Sequence, residues 1–170
     1  MQRLAAPSIA GGGGKALAFA DQTDAQVFAH DIAADRMRDL PARAARAGVN
    51  ITPVVTADLA QGGSFDVVFC DAPCSGSGTW RRTPDAKWRL SADRLAALQV
   101  TQREVLDQAA QYVGPGGTLV YATCSVLTAE NDALVDAFVA EADDWQIKST
   151  WQHLPDPEGD GFFLCQMRRR

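Results

Sequence analysis

The sequence contains neither a long hydrophobic run nor a recognisable export signal. No uninterrupted apolar stretch in its 170 residues approaches the roughly 18 residues that cross a bilayer. Residues 1–7 do not continue into the apolar segment of a secretory signal. We therefore expect a cytoplasmic protein without a membrane-spanning segment. The apolar share of 46% and the charged share of 22% are typical of a single globular domain with a hydrophobic core.

An excess of positive charge is also missing. The chain has 16 Lys and Arg against 21 Asp and Glu, which gives a net charge of −5 and an isoelectric point near 4.9. Free-standing nucleic-acid-binding domains usually carry the opposite sign, because neutralising phosphates drives their affinity. Composition alone thus argues mildly against RNA or DNA as a partner.

Metal-ligand spacing is absent as well. No two cysteines form a C-x-x-C pair, and the chain has only two histidines. We expect no metal site, and reduced thiols in a cytosolic chain. Taken singly, a scattered cysteine is most often a small buried hydrophobic residue. The four are Cys70, Cys74, Cys124 and Cys165.

What the sequence does contain is an alternation of short apolar runs and amphipathic stretches. This pattern predicts an α/β domain with a mostly parallel sheet covered by helices and closed by a C-terminal antiparallel hairpin. Ser91 is a candidate N-cap for the longest helix. The predicted strands are 25–31, 51–57, 65–71, 118–123, 145–151 and 162–167, and the predicted helices are 32–47, 92–112 and 128–142.

The beginning of the chain fits this pattern least well. A sheet of this kind needs a strand before its first helix, yet residues 3–9 are poor strand formers. Pro7 removes a hydrogen-bond donor, which a central parallel strand tolerates badly. We therefore expect the first strand to be degraded or truncated.

A glycine run and three acids point to a nucleoside pocket. Residues 11–16 fit G-x-G-x-x-A, a turn that lets a ligand approach the backbone at a helix N-terminus, although a plain flexible loop fits equally well. Asp31 follows the first glycine by about 20 residues, where an acid can accept from ribose hydroxyls. Asp58 could accept from an adenine amino group. Asp31, Asp58 and Asp71 all end predicted parallel strands, which favours a nucleoside site over isolated helix caps.

The segment 71–89 leaves a buried strand and combines small residues with four cations and two tryptophans. Small residues allow a flat substrate to come close, while arginine and tryptophan hold phosphates and stack on bases. A second motif, 121–125, also ends a predicted strand. In a parallel sheet Asp71, Cys74 and Cys124 can therefore converge on one rim.

These two motifs resemble those of the Sun family of S-adenosylmethionine-dependent RNA cytosine-5 methyltransferases, which modify ribosomal RNA in bacteria. The resemblance rests on Asp-Ala-Pro-Cys-Ser-Gly-x-Gly-Thr at 71–79, Arg-Arg-x-Pro-Asp-x-Lys-Trp at 81–88 and Tyr-Ala-Thr-Cys-Ser at 121–125. It extends from about residue 11 to 167. It implies a Rossmann-like class I methyltransferase fold with helices on both faces, and RNA as the substrate.

The resemblance also implies residue roles. Cys124 would be the nucleophile that attacks carbon 6 of cytosine, Asp71 would bind the pyrimidine edge near nitrogen 3, and Cys74 would help to release the methylated product. The S-adenosylmethionine contacts would be Ala10, Gly11, Gly12, Gly13, Gly14, Lys15, Asp31, Arg36, Asp58 and Asp71. The RNA contacts would be Arg81, Arg82, Lys87 and Trp88. Taken singly, Lys15 and Arg36 are equally typical of helix-surface charges.

The chain departs from the family pattern at residues 7–10, where Pro-Ser-Ile-Ala stands in place of Asp-x-Cys-Ala. We also expect the family's N-terminal RNA-binding region to be absent, which would explain the acidic isoelectric point. Two alternatives follow. One is a truncated domain of the same fold that binds cofactor or RNA but is catalytically weak. The other, a nicotinamide-dependent dehydrogenase, gives the cysteine motifs no role.

Overall fold

A computed structural model describes residues 2–6, 13–61 and 64–170. These ranges contain seven strands and six α-helices, and strands and helices alternate through most of them. The strands are β1 (Arg3–Ala6), β2 (Gln26–Ala29), β3 (Ile51–Pro53), β4 (Phe65–Asp71), β5 (Val113–Thr123), β6 (Trp145–His153) and β7 (Phe162–Arg169). The helices are α1 (Gly14–Gln22), α2 (Leu40–Ala47), α3 (Thr56–Gln61), α4 (Pro84–Arg89), α5 (Ala92–Gln111) and α6 (Asp132–Glu141). Short 3₁₀ turns lie at Ala34–Met37, Ser77–Thr79 and Thr128–Glu130.

The strands form one seven-stranded sheet in the order β3-β2-β1-β4-β5-β7-β6. The first five are parallel, and β7 lies antiparallel between β5 and β6. The order reverses at β1, with β2 on one side and β4 on the other. Ligands of open α/β sheets bind at the carboxyl ends of the strands beside such a reversal. The predicted parallel sheet with its C-terminal hairpin is confirmed.

The first strand forms despite its weak sequence signal. β1 pairs with β2 from Arg3 to Ala6 and with β4 at Leu4 and Ala5. Pro7, on which the expectation of a poor strand rested, lies outside the described residues. Long-range pairing with two neighbouring strands supplies what local propensity does not.

Two predicted elements were wrong in extent. The helix expected at 32–47 is a 3₁₀ turn followed by α2, because Pro41 is compatible only with the first turn of a helix. The strand expected at 51–57 stops at Pro53, and α3 follows. The amide of Leu59 donates to the carbonyl of Val55, and this first helical turn buries Leu59 in the core.

The long helices agree better with the sequence pattern. α5 begins after Ser91, whose hydroxyl accepts from the amide of Arg94 at 3.2 Å, so the predicted N-cap is confirmed. The helix expected at 128–142 is interrupted at Asn131, where φ is −116° and ψ is −103°. Glu130 and Asn131 are both fully buried there.

Helices cover both faces of the sheet. Neighbouring strand residues point to opposite faces, and Val67 packs in a cluster with Ala16 of α1 and Leu40 of α2. The next residue, Val68, belongs to the larger cluster that contains residues of α3, α5 and α6. Within the described ranges, no helix has both the length and the apolar character required to cross a membrane.

Candidate active site

The site begins with an ion pair between Asp71 at the end of β4 and Lys15 in the first turn of α1. Their Nζ and Oδ2 atoms are 2.6 Å apart. Burial raises the pKa of Asp71, and the hydrogen bond and charge of Lys15 oppose that rise. Lys15 also lies 5.8 Å from the centre of the Phe162 ring. The contact joins the helix after the glycine run to the strand that leads into the first cysteine motif.

Two cysteines from distant parts of the chain meet beside this pair. Asp71 of β4 lies opposite Ala122 of β5, so the segments that follow the two parallel strands leave the sheet side by side. The Sγ atoms of Cys74 and Cys124 are 3.4 Å apart, and both residues are partly exposed. The structure thus brings Asp71, Cys74 and Cys124 together on one rim.

The two thiols are electrostatically unequal. The hydrogen bond from Cys74 lowers the pKa of Cys124 to about 7, and Lys15 adds to this effect, whereas burial and Asp71 oppose it. The pKa of Cys74 is raised, first by its hydrogen bond to Cys124 and then by burial. Cys124 is therefore the stronger candidate for a thiolate at neutral pH, and Cys74 for the protonated partner.

The other two cysteines have a structural character. Cys70 and Cys165 are both buried in the core. Burial raises the pKa of each to about 12, so both remain thiols at any ordinary pH. They behave as the small hydrophobic residues that scattered cysteines usually are.

The loop after Cys74 packs closely on the loop between β6 and β7. The amide of Gly78 donates to the carbonyl of Cys124 at 3.0 Å, and the amide of Gly161 donates to the carbonyl of Gly78 at 2.8 Å. A Cβ added at Gly78 would stand 2.3 Å from the carbonyl oxygen of Gly161. The close approach of these backbones therefore requires glycine at position 78.

A cavity of about 800 Å³, including its open mouth, adjoins the Asp71 end of the site. Asp31 and Arg36 both line it, and their closest charged atoms are 3.9 Å apart. Nδ1 of His30 is buried there without a partner among the described residues. Burial also lowers the pKa of His30. The lining is His30, Asp31, Ile32, Arg36, Thr56, Leu59, Asp71, Pro73, Thr101, Val105, Gln108, Ala109 and Tyr112.

Within the described residues, the glycines predicted to contact the cofactor are not among those that line this cavity. Ala10, Gly11 and Gly12 lie outside the described residues. Gly13 adopts a φ of 74° just before α1, and a Cβ there would meet Leu40 at 2.5 Å. Gly14 begins α1 and is exposed.

Asp58 departs from its predicted place. It was expected at the end of a strand, but it is exposed in the first turn of α3 and does not line the cavity. The strand stops at Pro53, and the helical turn that buries Leu59 turns Asp58 toward solvent.

The four RNA candidates divide into two pairs. Arg81 and Arg82 both form ion pairs with Asp160, at 3.3 Å and 2.7 Å, and thereby tie the motif loop to the β6–β7 loop. Lys87 and Trp88 are exposed on α4, with the ammonium 5.4 Å from the ring centre. Only the second pair presents side chains without a described structural ion pair.

The sequence analysis did not single out Arg89 and Arg94. Both line a small cavity that also contains Cys74. Arg89 pairs with Asp85 on the surface at 2.9 Å. The Arg94 guanidinium has no hydrogen bond or ion pair within the described part of the chain. The presence of cations near Trp88 was a signal in the sequence for a charged surface. The position of Arg94 beside Cys74, however, depends on where α5 begins, which only the structure shows.

The sequence analysis also missed Glu130. This carboxylate is fully buried and accepts hydrogen bonds from Ser75 and Ser125, the residues that follow the two cysteines. An acid beside Asn131 at the start of an otherwise apolar segment was the available signal, and it is a weak one.

Comparison with known proteins agrees with this geometry. The sheet order, the C-terminal hairpin and the cleft at the carboxyl ends of β2 and β4 define a class I, Rossmann-like S-adenosylmethionine-dependent methyltransferase fold. The family described as 16S rRNA methyltransferase RsmB/F matches residues 5–168, and the chain belongs to this family.

The curated relatives carry the name "Ribosomal RNA small subunit methyltransferase B". The protein from Klebsiella pneumoniae (strain 342) is 45% identical over 115 residues, which cover 62% of this chain and 26% of the relative. The Vibrio cholerae protein is 43% identical over 117 residues, which cover 65% of this chain and 27% of the relative. The match thus spans about a quarter of each relative's length.

Two solved structures share the fold over nearly the whole chain. PH0851 has a TM-score of 0.84 at 28% identity, covering 99% of this chain and 42% of its own. NSun6 from Pyrococcus horikoshii, solved with SFG, has a TM-score of 0.84 at 22% identity, covering 98% of this chain and 47% of its own.

Proposed function

We propose that this chain is a catalytic domain that transfers a methyl group from S-adenosylmethionine to carbon 5 of a cytosine in ribosomal RNA. The observation that carries the proposal is the 3.4 Å contact between Cys74 and Cys124, whose pKa values shift in opposite directions. Two thiols with different protonation states suit a reaction that first needs a thiolate nucleophile and later a thiol that helps to release the methylated product. Membership of an rRNA methyltransferase family supports the substrate class.

The cavity beside Asp71 fits S-adenosylmethionine. Asp31 in this lining offers a carboxylate to ribose hydroxyls. Ile32, Pro73 and Val105 supply apolar surface for an adenine ring. When bound, the cofactor supplies an electrophilic methyl group. Lys15, Arg36 and the glycine turn complete the proposed site.

The proposed reaction then uses the two thiols in sequence. The Cys124 thiolate forms a bond to carbon 6 of cytosine, and the electron pair of the C5–C6 double bond moves to carbon 5. Asp71, paired with Lys15, binds the pyrimidine edge near nitrogen 3 and stabilises the charge on the ring. Carbon 5 would then take the methyl group that S-adenosylmethionine, held by Asp31 and Arg36, supplies as the electrophile, with the thioether as the leaving group. The proton on carbon 5 is lost to solvent water, its electron pair restores the C5–C6 double bond, and the Cys124 sulfur leaves as a thiolate that its hydrogen bond with the Cys74 thiol stabilises.

The RNA face in this proposal comprises Lys87, Trp88, Arg89 and Arg94. Trp88 is 82% exposed and offers a ring for base stacking. Arg89 and Arg94 line the cavity at Cys74, where a phosphate of the flipped nucleotide would lie. Arg81 and Arg82 serve mainly to hold the loop through Asp160. We also propose that an RNA-binding region outside these 170 residues contributes to substrate affinity.

Single-cysteine variants test the assignment of roles. Incubated with S-adenosylmethionine and unmodified 16S rRNA, Cys74→Ala accumulates a covalent RNA adduct on a denaturing gel, because its release step is impaired. Cys124→Ala forms none, because it lacks the nucleophile. Cys165→Ala, which removes a buried core thiol, behaves as the wild-type chain. An adduct formed by Cys124→Ala contradicts the proposal.

Calorimetry with S-adenosylmethionine, run beside a methyl-transfer assay, separates the enzyme from a binding domain of the same fold. The proposal requires binding, a rise in the thermal unfolding midpoint and transfer. Binding without transfer favours the truncated, catalytically weak domain.

A further inference from the structure

Glu130 is the most deeply buried charged group next to the two cysteines, and the proposed chemistry does not use it. It ends the 3₁₀ turn Thr128–Glu130 between β5 and α6, and its exposed fraction is 0%. Removing a carboxylate from water costs several kcal/mol unless donors replace the lost solvent. The partners of Glu130 therefore indicate what the fold gains by burying it.

Four donors converge on this carboxylate. The amide of Ser75 donates to Oε1 at 2.8 Å, and the Ser75 hydroxyl donates to Oε2 at 2.5 Å. The Ser125 hydroxyl also donates to Oε2 at 2.5 Å, and Nε2 of Gln102 donates to Oε1 at 2.9 Å. Ser75 follows Cys74 and Ser125 follows Cys124. One carboxylate thus bridges the two cysteine loops.

Neighbouring contacts hold the same two loops. Gln102 also donates to the carbonyl of Pro73 at 2.9 Å, just before Cys74. The hydroxyls of Ser77 and Ser125 are 2.9 Å apart. The amide of Val126 donates to the Ser77 hydroxyl at 2.9 Å, so Ser77 also links the two loops, two residues beyond Ser75. Ser75 and Ser125, the residues directly after the cysteines, are joined at short distance through the Glu130 carboxylate, whereas their own hydroxyls are 3.5 Å apart.

A gain in stability does not by itself explain why the fold buries the Glu130 carboxylate. A buried ionic group is weak evidence for stability, since a well-packed apolar residue often serves the core as well. A carboxylate with two oxygens, however, fixes several donors in one geometry at once.

We propose that Glu130 is a positioning residue, which sets the distance between the Cys74 and Cys124 sulfur atoms by tying Ser75 to Ser125. The assignment rests on the proposed function for its catalytic meaning, but the geometric claim concerns the free protein. Glu130 itself touches neither substrate nor cofactor in this scheme.

A change in the distance between the two sulfur atoms would alter the pKa of Cys124. Its low pKa depends first on the hydrogen bond from Cys74, with Lys15 assisting and Asp71 opposing. If the sulfurs separate, the pKa of Cys124 rises toward its ordinary value. The charge of Glu130 acts in the other direction, because it raises the pKa of the nearby Cys74. Removing that charge without movement would leave thiol pKa values unchanged or lower.

The sign of the change therefore distinguishes positioning from simple electrostatics. The test is the pH dependence of Cys124 alkylation by iodoacetamide in the intact chain, read from the Cys124 peptide by mass spectrometry. In Glu130→Gln the midpoint moves to higher pH. Full loss of the shift lowers the rate at pH 7 by up to about fifty-fold, as the thiolate fraction falls from about one half to about one hundredth.

Glu141→Gln is the matched control, because this exposed carboxyl lies on α6 and pairs with Arg103. Its midpoint should equal that of the wild type. If Glu130→Gln fails to fold, Ser75→Ala and Ser125→Ala each remove one hydroxyl donor and should give smaller upward shifts. An unchanged or lowered midpoint in folded Glu130→Gln, or in both folded serine variants, overturns the proposal.

A parallel methyl-transfer assay keeps the two proposals separate. An upward alkylation shift together with an inactive wild-type chain supports the positioning role and contradicts the proposed function. An active wild-type chain, with no shift of the alkylation midpoint in Glu130→Gln, supports the proposed function and contradicts the positioning role.

Discussion

At the scale of single residues, the pKa of each cysteine depends on its surroundings. Cys70 and Cys165 lie in the core, and burial raises the pKa of each to about 12. Cys124 differs because its hydrogen bond with Cys74 and the charge of Lys15 both lower its pKa. The four identical side chains therefore divide into two structural thiols, one candidate nucleophile and its hydrogen-bond partner Cys74.

The first prediction concerns the pH dependence of that nucleophile. The lowered pKa of about 7 means that the Cys124 thiolate is present above pH 7 and is lost as the pH falls through this value. Methyl transfer should therefore decline about tenfold per unit below pH 7. Initial rates between pH 5.5 and 8.5 measure the profile, and a flat profile across pH 7 would contradict it.

Lys15 gives a second prediction at this scale. Lys15→Gln removes a charge that lowers the pKa values of both Asp71 and Cys124. The midpoint of Cys124 alkylation should move to higher pH. Lys148→Gln, which alters an exposed lysine on β6, serves as control and should leave the midpoint in place. A common shift in both variants would indicate a general charge effect rather than this ion pair.

At the scale of elements, loops rather than strands build the site, and they are held by backbone contacts. The segment after β4 touches Cys124 through Gly78, and the β6–β7 loop touches Gly78 through Gly161. Arg81 and Arg82 add ion pairs to Asp160 from the same loop. The antiparallel hairpin thus supports the loop after β4 from the side.

Gly78→Ala tests this packing. Its new Cβ would stand 2.3 Å from the Gly161 carbonyl oxygen, so the two loops must separate. We expect a loss of about 1–3 kcal/mol in the free energy of unfolding, typical of overpacking. Gly14→Ala is the control, because a Cβ there meets nothing within 4 Å. Thermal or denaturant unfolding measures both, and equal stability of the two variants would contradict the close packing.

At the scale of the whole molecule, an acidic protein presents a local cationic face. The net charge is −5, yet Lys87, Arg89 and Arg94 lie near the Cys74 cavity and its adjoining helix. If RNA is the substrate, as proposed above, global repulsion and local attraction act on it together, and the local attraction should depend on salt concentration.

Arg94→Gln should weaken binding of single-stranded RNA and reduce the slope of log Kd against log salt concentration by about 0.7, the value for one phosphate. Arg46→Gln removes the same charge from an exposed position on α2 and should leave the slope unchanged. Fluorescence anisotropy at several salt concentrations measures both. Equal slopes for the two variants would show that only net charge matters.

The sequence by itself determined the parallel sheet, the hairpin, the long helix after Ser91 and the two cysteine motifs, because these depend on local periodicity and short-range spacing. Only the tertiary structure decided that β1 forms, that Asp58 faces solvent, that Arg81 and Arg82 support a loop, and that Glu130 joins two distant serines. Each of these depends on residues that are far apart in the chain. Strand pairing, burial and hydrogen bonds between such distant residues form only when the whole domain folds and brings those residues together.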